Sequence, residues 1–249
     1  MINLSKRLIR QVAQANARFS LITGGDRVLL GLSGGKDSLA LAHLLKRMQA
    51  HAPFDFTLKA ATLSYGMGED YSQLHAHCAA HGIEHEVIAS NIYEISGDTI
   101  RANSSFCSYF SRMRRGALYT YALENGYNKL AIAHHLDDAA ESFMMNFIYN
   151  GALRTLAPIY TSKRGVIVIR PLIFVRERQL RENALANELQ VIGNEFCPGL
   201  KLSEKNVKFP HAREEAKAVL AGLERDNPKL FTSLKKAFEN IHTSSFWGS

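Results

Sequence analysis

The sequence predicts an α/β fold: a doubly wound parallel sheet with an N-terminal helix and C-terminal helical additions. Three observations carry this reading. The apolar run Val28 to Leu32 feeds into Ser33-Gly34-Gly35-Lys36-Asp37-Ser38, and Leu39, Leu41, Leu44 and Leu45 follow at helical spacing, which makes strand, glycine loop and helix. Short apolar or β-branched runs then alternate with helical stretches as far as Pro171, the rhythm of a parallel sheet covered on both faces. The 249 residues, 46% hydrophobic and 21% charged, can bury a full core, and no apolar run approaches a membrane span.

The first segment, 1–24, is a basic amphipathic helix, with Leu4, Leu8, Val12, Ala15 and Phe19 on one side and Lys6, Arg7, Arg10 and Arg18 on the other. It runs into Gly24-Gly25 and the first strand without a processing linker, so it reads as an integral helix that touches nucleic acid and not as a targeting peptide. The main domain, 25–190, continues from the loop helix, which ends near Ala50, to strands at Leu58 to Leu63 and Glu84 to Ile88 around a helix near Tyr71 to Ala80. A long helix over Phe106 to Asn125, a buried strand at Leu130 to Ala133, a helix over Asp138 to Tyr149, a strand at Val166 to Ile169 and a helix over Arg176 to Leu189 complete it. The remainder, 191–249, is an irregular stretch from Gly193 to Pro210 and two helices, Ala212 to Arg225 and Pro228 to Ile241, read as an appended lobe.

The loop is built for phosphate. Two adjacent glycines let successive amides converge on one anion, with the positive end of the next helix behind them. Ser33 and Ser38 add hydroxyl donors and Lys36 a mobile charge, while Asp37 makes sense beside phosphate if it recruits Mg²⁺. A Walker loop is excluded, because Asp37 interrupts Lys36 and Ser38. In a doubly wound sheet the ligand binds where the strand order reverses, so His134-His135-Leu136-Asp137-Asp138, leaving the neighbouring strand, should face the same phosphates. Asp137 and Asp138 are expected to hold Mg²⁺ with Asp37, and His134 to contact phosphate or ribose; the competing reading of the two acids is a helix N-cap. Leu63, at the end of the second strand, is assigned to the nucleotide site.

Three cysteines do not make a secreted disulfide framework and point to a reducing compartment. Cys107 stands at a helix start before Arg112, Arg114 and Arg115, features that favour thiolate. Cys197, in Phe-Cys-Pro-Gly, is a second candidate, and Cys78, amid His75, His77 and His81, reads as structural or exposed and not as catalytic. A formal charge of +7 suggests a polyanionic partner, and the arginines after Cys107, with Arg170, Arg176, Arg178, Arg181, Lys201, Lys205 and Lys208, offer a rim for RNA phosphates.

The loop resembles the S-G-G-x-D-S signature of the ATP pyrophosphatases, a family with a Rossmann-like fold of adenine nucleotide alpha hydrolase type. With the run Cys107 to Gly116, His134-His135-x-Asp137-Asp138, Ile169-Arg170-Pro171-Leu172 and Cys197 before a glycine, the chain is similar to the tRNA 2-thiocytidine synthetases along nearly its whole length. That resemblance implies an ATP-dependent enzyme that adenylates the C2 oxygen of an anticodon-loop cytidine, family position 32, and replaces it with sulfur. It implies ATP and Mg²⁺, with Ser33 to Ser38, Leu63, His134 and Asp137 at the nucleotide. Cys107, Cys197, Asp138 and Arg114 would be catalytic, and Arg112, Arg115 and Arg170 would contact tRNA. It also implies a [4Fe-4S] cluster on three cysteines, but Phe110 stands where the second should be, and two thiolates anchor a cubane poorly. The expected alternative is a persulfide on one of Cys107 and Cys197, attacked by the other. Expected partners are tRNA, a sulfur donor such as a cysteine desulfurase and, as a candidate, a second copy in a homodimer; no membrane is expected, and the location is cytoplasmic. The rival activities are tRNA modification with a nitrogen nucleophile, as in lysidine synthetases, and ATP or RNA binding without sulfur transfer.

Overall fold

The computed structural model describes residues 2–99, 106–191, 198, 211–245 and 247. Helix α1 (Lys6–Phe19) starts where Ser5 accepts a hydrogen bond from the Leu8 amide and stops at Ser20, whose φ of 49° is left-handed. It buries Leu8, Val12 and Ala15 and leaves Lys6, Arg7, Arg10 and Arg18 exposed. Gln11 holds it in place, donating to the Phe174 carbonyl at 2.9 Å and accepting from Gln179 at 2.9 Å.

Strands β1 (Arg27–Gly31), β2 (Thr57–Leu63), β3 (His85–Ile88), β4 (Lys129–Ala131), β5 (Ile159–Thr161) and β6 (Ile167–Ile169) form a sheet in the order β3-β2-β1-β4-β6-β5. Leu30 of β1 is paired in parallel with Ala60 on one side and Ala131 on the other, so the order reverses between β1 and β4. Every adjacent pair is parallel except β5 and β6, which are antiparallel at the edge. Strand β5 has no counterpart in the sequence reading; Ile159-Tyr160-Thr161 is a part-buried edge segment without the continuous apolar run that announces the equally short β4 and β6. The short helix α4 (Ile92–Thr99) was likewise not anticipated.

Side-chain alternation sorts the helices between the two faces. Val28 and Leu30 of β1 and Leu58 and Ala60 of β2 join a core built with α1, α2 (Lys36–His51), α3 (Ser72–Ala80) and α7 (Glu177–Ala186). Leu29, Ala61 and Leu130 point the other way, onto Leu118 and Ala122 of α5 (Phe106–Glu124). Each fully buried leucine here contributes about 1.5–3 kcal/mol through removal from water. Helix α6 (Leu136–Tyr149) uses Leu136 and Ala140 to receive Leu220 of α8 (His211–Asp226) and Phe231 of α9 (Leu230–Glu239), which fastens the C-terminal helices to the sheet domain. Among the described residues no helix is long and apolar enough to cross a membrane.

Candidate active site

At the carboxyl end of β1 the loop folds back on itself. Gly34 takes φ +81°, a conformation in which any side chain would be strained. Ser38 Oγ donates to the Gly35 carbonyl at 2.9 Å and accepts from the Ser33 amide at 3.2 Å, leaving Ser33 Oγ, 3.1 Å away, to donate to it. The two serines thus close the loop. Gly35 begins α2 with no side-chain cap, so amides of the first turn remain for an anion. Helix α6, by contrast, is sealed by a reciprocal box: His135 Nδ1 accepts from the Asp138 amide at 3.3 Å, and the Asp138 carboxylate accepts from the His135 amide at 2.9 Å. Of the two helices that start beside the switch point, α2 is the one able to take phosphate.

A cavity of about 210 Å³ opens over the loop. Ser33, Gly35, Asp37 and Ser38 form its floor, Ala133, His134 and Asp138 one wall, and Ser111, Arg114, Arg115 and Leu118 of α5 the other. Gly31 belongs to the same lining, and a Cβ there would meet Leu118 at 3.2 Å. A larger cavity of about 310 Å³ lies between α1 and α2, but Ile9, Val12, Leu44, Met48 and Phe54 make it largely apolar and no acid lines it.

The acids divide. Asp37 Oδ1 is buried with no hydrogen-bond partner among the described residues, while Oδ2 lies 3.1 Å from Lys36 Nζ. Burial raises the Asp37 pKa despite that ammonium, so the carboxylate is short of positive charge. Asp138 lines the cavity too, paired with Arg213 from α8, which also holds Glu141 at 2.7 Å. The structure corrects the placement of Asp137: its oxygens accept from Arg176 Nε at 3.1 and 3.2 Å and from the Glu177 amide at 2.7 Å, outside the cavity lining. Lys36 reaches back to Glu177 at 3.2 Å, and burial, which lowers its pKa, is outweighed by Asp37 and Glu177, which raise it. Burial opposes the charge of Glu177 as well, but Lys36 and Lys217 hold its carboxyl down to about 2. Arg176 completes this layer, bidentate to Glu224 at 2.8 and 2.9 Å with its guanidinium 3.2 Å from the Phe231 ring centroid. Glu177, Arg213 and Lys217 are not among the residues the sequence singles out; the contacts that tie them to Lys36, Asp137, Asp138 and Glu141, and Lys217 to Glu177, span 40 or more residues, so no local spacing announces them.

The arginines divide as well. Arg114 and Arg115 face the cavity, whereas Arg112 is exposed, with its guanidinium 6.0 Å from the Tyr109 ring centroid. Arg170, expected on an RNA rim, is instead 6% exposed: Nε donates to His134 Nδ1 at 3.2 Å, Nη1 to the Ala157 carbonyl, and the guanidinium lies over Tyr160. Burial pushes His134 down to about 4, so its ring is neutral at physiological pH and accepts from Arg170. Leu63 lies beside the cleft in an apolar cluster with Ile92, Tyr109 and Phe110, and it is absent from the cavity lining. Phe110 is 4% exposed and meets Tyr65 and Tyr109 edge-on at 5.8 and 5.4 Å, so an aromatic cluster fills the position of the missing cysteine. Cys78 packs on the opposite face of the sheet, its thiol pushed up to about 11 by burial. Cys197, the side chain of Cys107, and Lys201, Lys205 and Lys208 lie outside the described residues.

Comparison with known proteins gives this cleft its context. Residues 4–195 match the model of the PP-loop domain family. A tRNA-cytidine(32) 2-sulfurtransferase from Geobacter metallireducens is 37% identical over 238 residues, covering 95% of this chain and 90% of that protein. One from Coxiella burnetii is 33% identical over 243 residues, covering 97% and 92%. Among solved structures, a U34-tRNA thiolase from Methanococcus maripaludis with its [4Fe-4S] cluster superposes with a TM-score of 0.73 at 26% identity, over 95% of this chain and 79% of that one. An NH3-dependent NAD synthetase from Campylobacter jejuni shares the fold, with a TM-score of 0.50 at 16% identity over 90% and 94% of the two chains. The chain belongs to the PP-loop domain family and, within it, to the family of the tRNA-cytidine(32) 2-sulfurtransferases.

Proposed function

We propose that this chain is an ATP-dependent tRNA sulfurtransferase acting on the anticodon-loop cytidine at position 32. The observation that carries the ATP half is the buried, unpartnered Asp37 oxygen at the floor of a phosphate loop, in a cavity it shares with Asp138. Asp37 fits the Mg²⁺ that accompanies ATP, and Asp138, held here by Arg213 and the His135 amide, would join it by giving up the Arg213 contact; the cation would offset charge on the pyrophosphate. Asp137 is occupied elsewhere and has no part in this set. The identity to relatives over nearly the whole chain supports the tRNA half.

In this reading the α2 amides and the closed Ser33–Ser38 loop hold the pyrophosphate, and Arg114 and Arg115 face the charge that develops at the α-phosphate. The C2 oxygen of cytidine attacks that phosphorus and pyrophosphate leaves, which converts a poor leaving group at C2 into AMP. Arg170 fixes the neutral His134 ring against the cleft, a positioning role in place of the phosphate contact expected for it. Arg112, exposed on α5, is left for the tRNA backbone.

The donor set does not fit a three-cysteine cluster, since Phe110 is packed into an aromatic cluster and Cys78 lies across the sheet. We assign sulfur transfer to Cys107 and Cys197. The terminal sulfur of a Cys107 persulfide adds at C2 and AMP leaves; the Cys197 thiolate then attacks Cys107 Sγ, forming a disulfide and releasing the thiocarbonyl base. A thiol reductant restores both cysteines, and a persulfide donor reloads Cys107. The test is release of AMP from ATP by purified protein with and without tRNA. Release is expected only with tRNA and is expected to persist in Cys107→Ser and Cys197→Ser, neither of which forms 2-thiocytidine; release without tRNA, or thiolation by either variant, contradicts the proposal.

A further inference from the structure

On the sheet face opposite α5, the packing of α3 against α2 gathers three histidines. His43 projects from α2 and is fully buried, while His77 of α3 and His81, the residue that caps its C-terminus one turn later, are half-buried. His43 Nε2 lies 2.9 Å from His77 Nε2, and one ring nitrogen from each of the three lies within 4.8 Å of the others. The His77 and His81 rings stack at 4.5 Å, and His43 meets them edge-on at 5.0 and 4.7 Å.

Purely structural packing is a poor account of this cluster. A core histidine that only fills space usually satisfies both nitrogens, but His43 Nδ1 is buried with no partner among the described residues and Nε2 faces the same atom of another histidine. Two such nitrogens at that distance are held together by a shared proton or by a cation. His81 is already set for the second: its Nδ1 lies 2.9 Å from the His77 carbonyl, which can only accept, so the proton is on Nδ1 and the Nε2 lone pair is free. The i, i+4 spacing of His77 and His81 puts two ligands on one helix face, as recurs in zinc sites. Tetrahedral ligation at Zn–N of about 2.0–2.1 Å places ligand nitrogens about 3.3 Å apart, so the widest pair needs to close by about 1.5 Å at most. His77 and His81, half-exposed, have the freedom to do this, and their exposure lets solvent supply a fourth donor.

We propose that His43, His77 and His81 form a three-histidine site for a divalent transition metal, zinc in the first instance, with water or a surface ligand as the fourth donor. The site clips α3 to the helix that starts at the phosphate loop, so the ion acts as a structural fastener remote from the nucleotide. Cys78 is no ligand, because its side chain belongs to the apolar core. His75 is no ligand either: it is exposed and faces His85, ring to ring at 5.6 Å.

The test uses the full chain carrying Cys107→Ser and Cys197→Ser, which removes competing thiols, stripped with EDTA and titrated with Zn²⁺ alone by calorimetry and with Co²⁺ by visible absorption. One equivalent should bind, cobalt should show the intense d–d bands of four-coordinate geometry, and zinc should raise the melting temperature. His77→Gln and His81→Gln, at half-exposed positions that tolerate glutamine, should each weaken zinc binding by about 100-fold and abolish the thermal shift; His75→Gln should change neither. Absence of stoichiometric binding by the folded parent, or equal affinity in the His77 and His81 variants, overturns the site.

Discussion

Asp37 is where the described residues least settle the charge balance of the cleft: one oxygen has Lys36, and the other is buried with no partner among them. Asp37→Asn should therefore cut AMP formation by about 100-fold or more while tRNA affinity stays within about twofold, because the change touches the proposed metal site and not the exposed arginine of α5. Equal activity of the variant would remove Asp37 from the metal site. A second residue makes stability depend on pH. His85 is 8% exposed, donates through Nε2 to Thr62 Oγ1 at 2.9 Å, and is held down to about 4 by burial. Between that value and about 6.5 the unfolded chain takes up a proton that the folded chain refuses. The His85 contribution is therefore complete above pH 6.5 and lost as pH falls, by up to about 2 kcal/mol at pH 5. Denaturant midpoints at pH 7.5 and 5.0 measure it, and His85→Gln should narrow the difference; an equal drop in the variant would assign it to other groups. The loop residues were legible in the sequence because their chemistry is local. The Asp137-Asp138 pair was legible only as a pair: successive helical residues turn by about 100°, and what selects Asp138 for the cleft is Arg176, 39 residues beyond Asp137, holding its neighbour away.

Helix α5 turns Arg114 and Arg115 to the cavity and Arg112 to solvent. This orientation separates their expected effects. Arg112→Ala should reduce the slope of log affinity for tRNA against log salt by about one unit with AMP formation at saturating tRNA unchanged; Arg114→Ala should lower that rate by about tenfold or more. A slope change in Arg114→Ala with an unaltered rate would move that arginine to the RNA surface. The long helices and the strands β1, β2 and β3 fall within about two residues of where hydrophobic period places them, because the period is long enough to be read. Strand β5 and helix α4 were not legible. The first is a part-buried edge strand with no continuous apolar run, and the second, containing Ser96 and Gly97, is a weak helix former held by Ile92 packing beside Phe110. The contribution of α8 to the acids was also hidden, since Arg213 and Asp138 are 75 residues apart and only the docking of Leu220 and Phe231 on α6 brings them together.

For the molecule as a whole, the parallel sheet places the phosphate loop, the Asp138 wall and the α5 arginines around one opening, with α8 closing the acidic layer behind it. The switch point between β1 and β4 was readable from strand-helix alternation, and with it the location of the cleft. The burial of Arg170 was not, because an arginine before a proline reads the same on a rim or in a core until its partners, His134, Ala157 and Tyr160, are in place. The central claim is that this cleft activates a tRNA cytidine with ATP and that two cysteines deliver the sulfur. Nucleoside mass spectrometry of tRNA from a strain lacking the gene tests it most directly. The account predicts that 2-thiocytidine disappears, returns with the wild-type chain, and fails to return with Asp37→Asn, Cys107→Ser or Cys197→Ser expressed at equal level; undiminished 2-thiocytidine in the deletion strain, or its restoration by either cysteine variant, would contradict it.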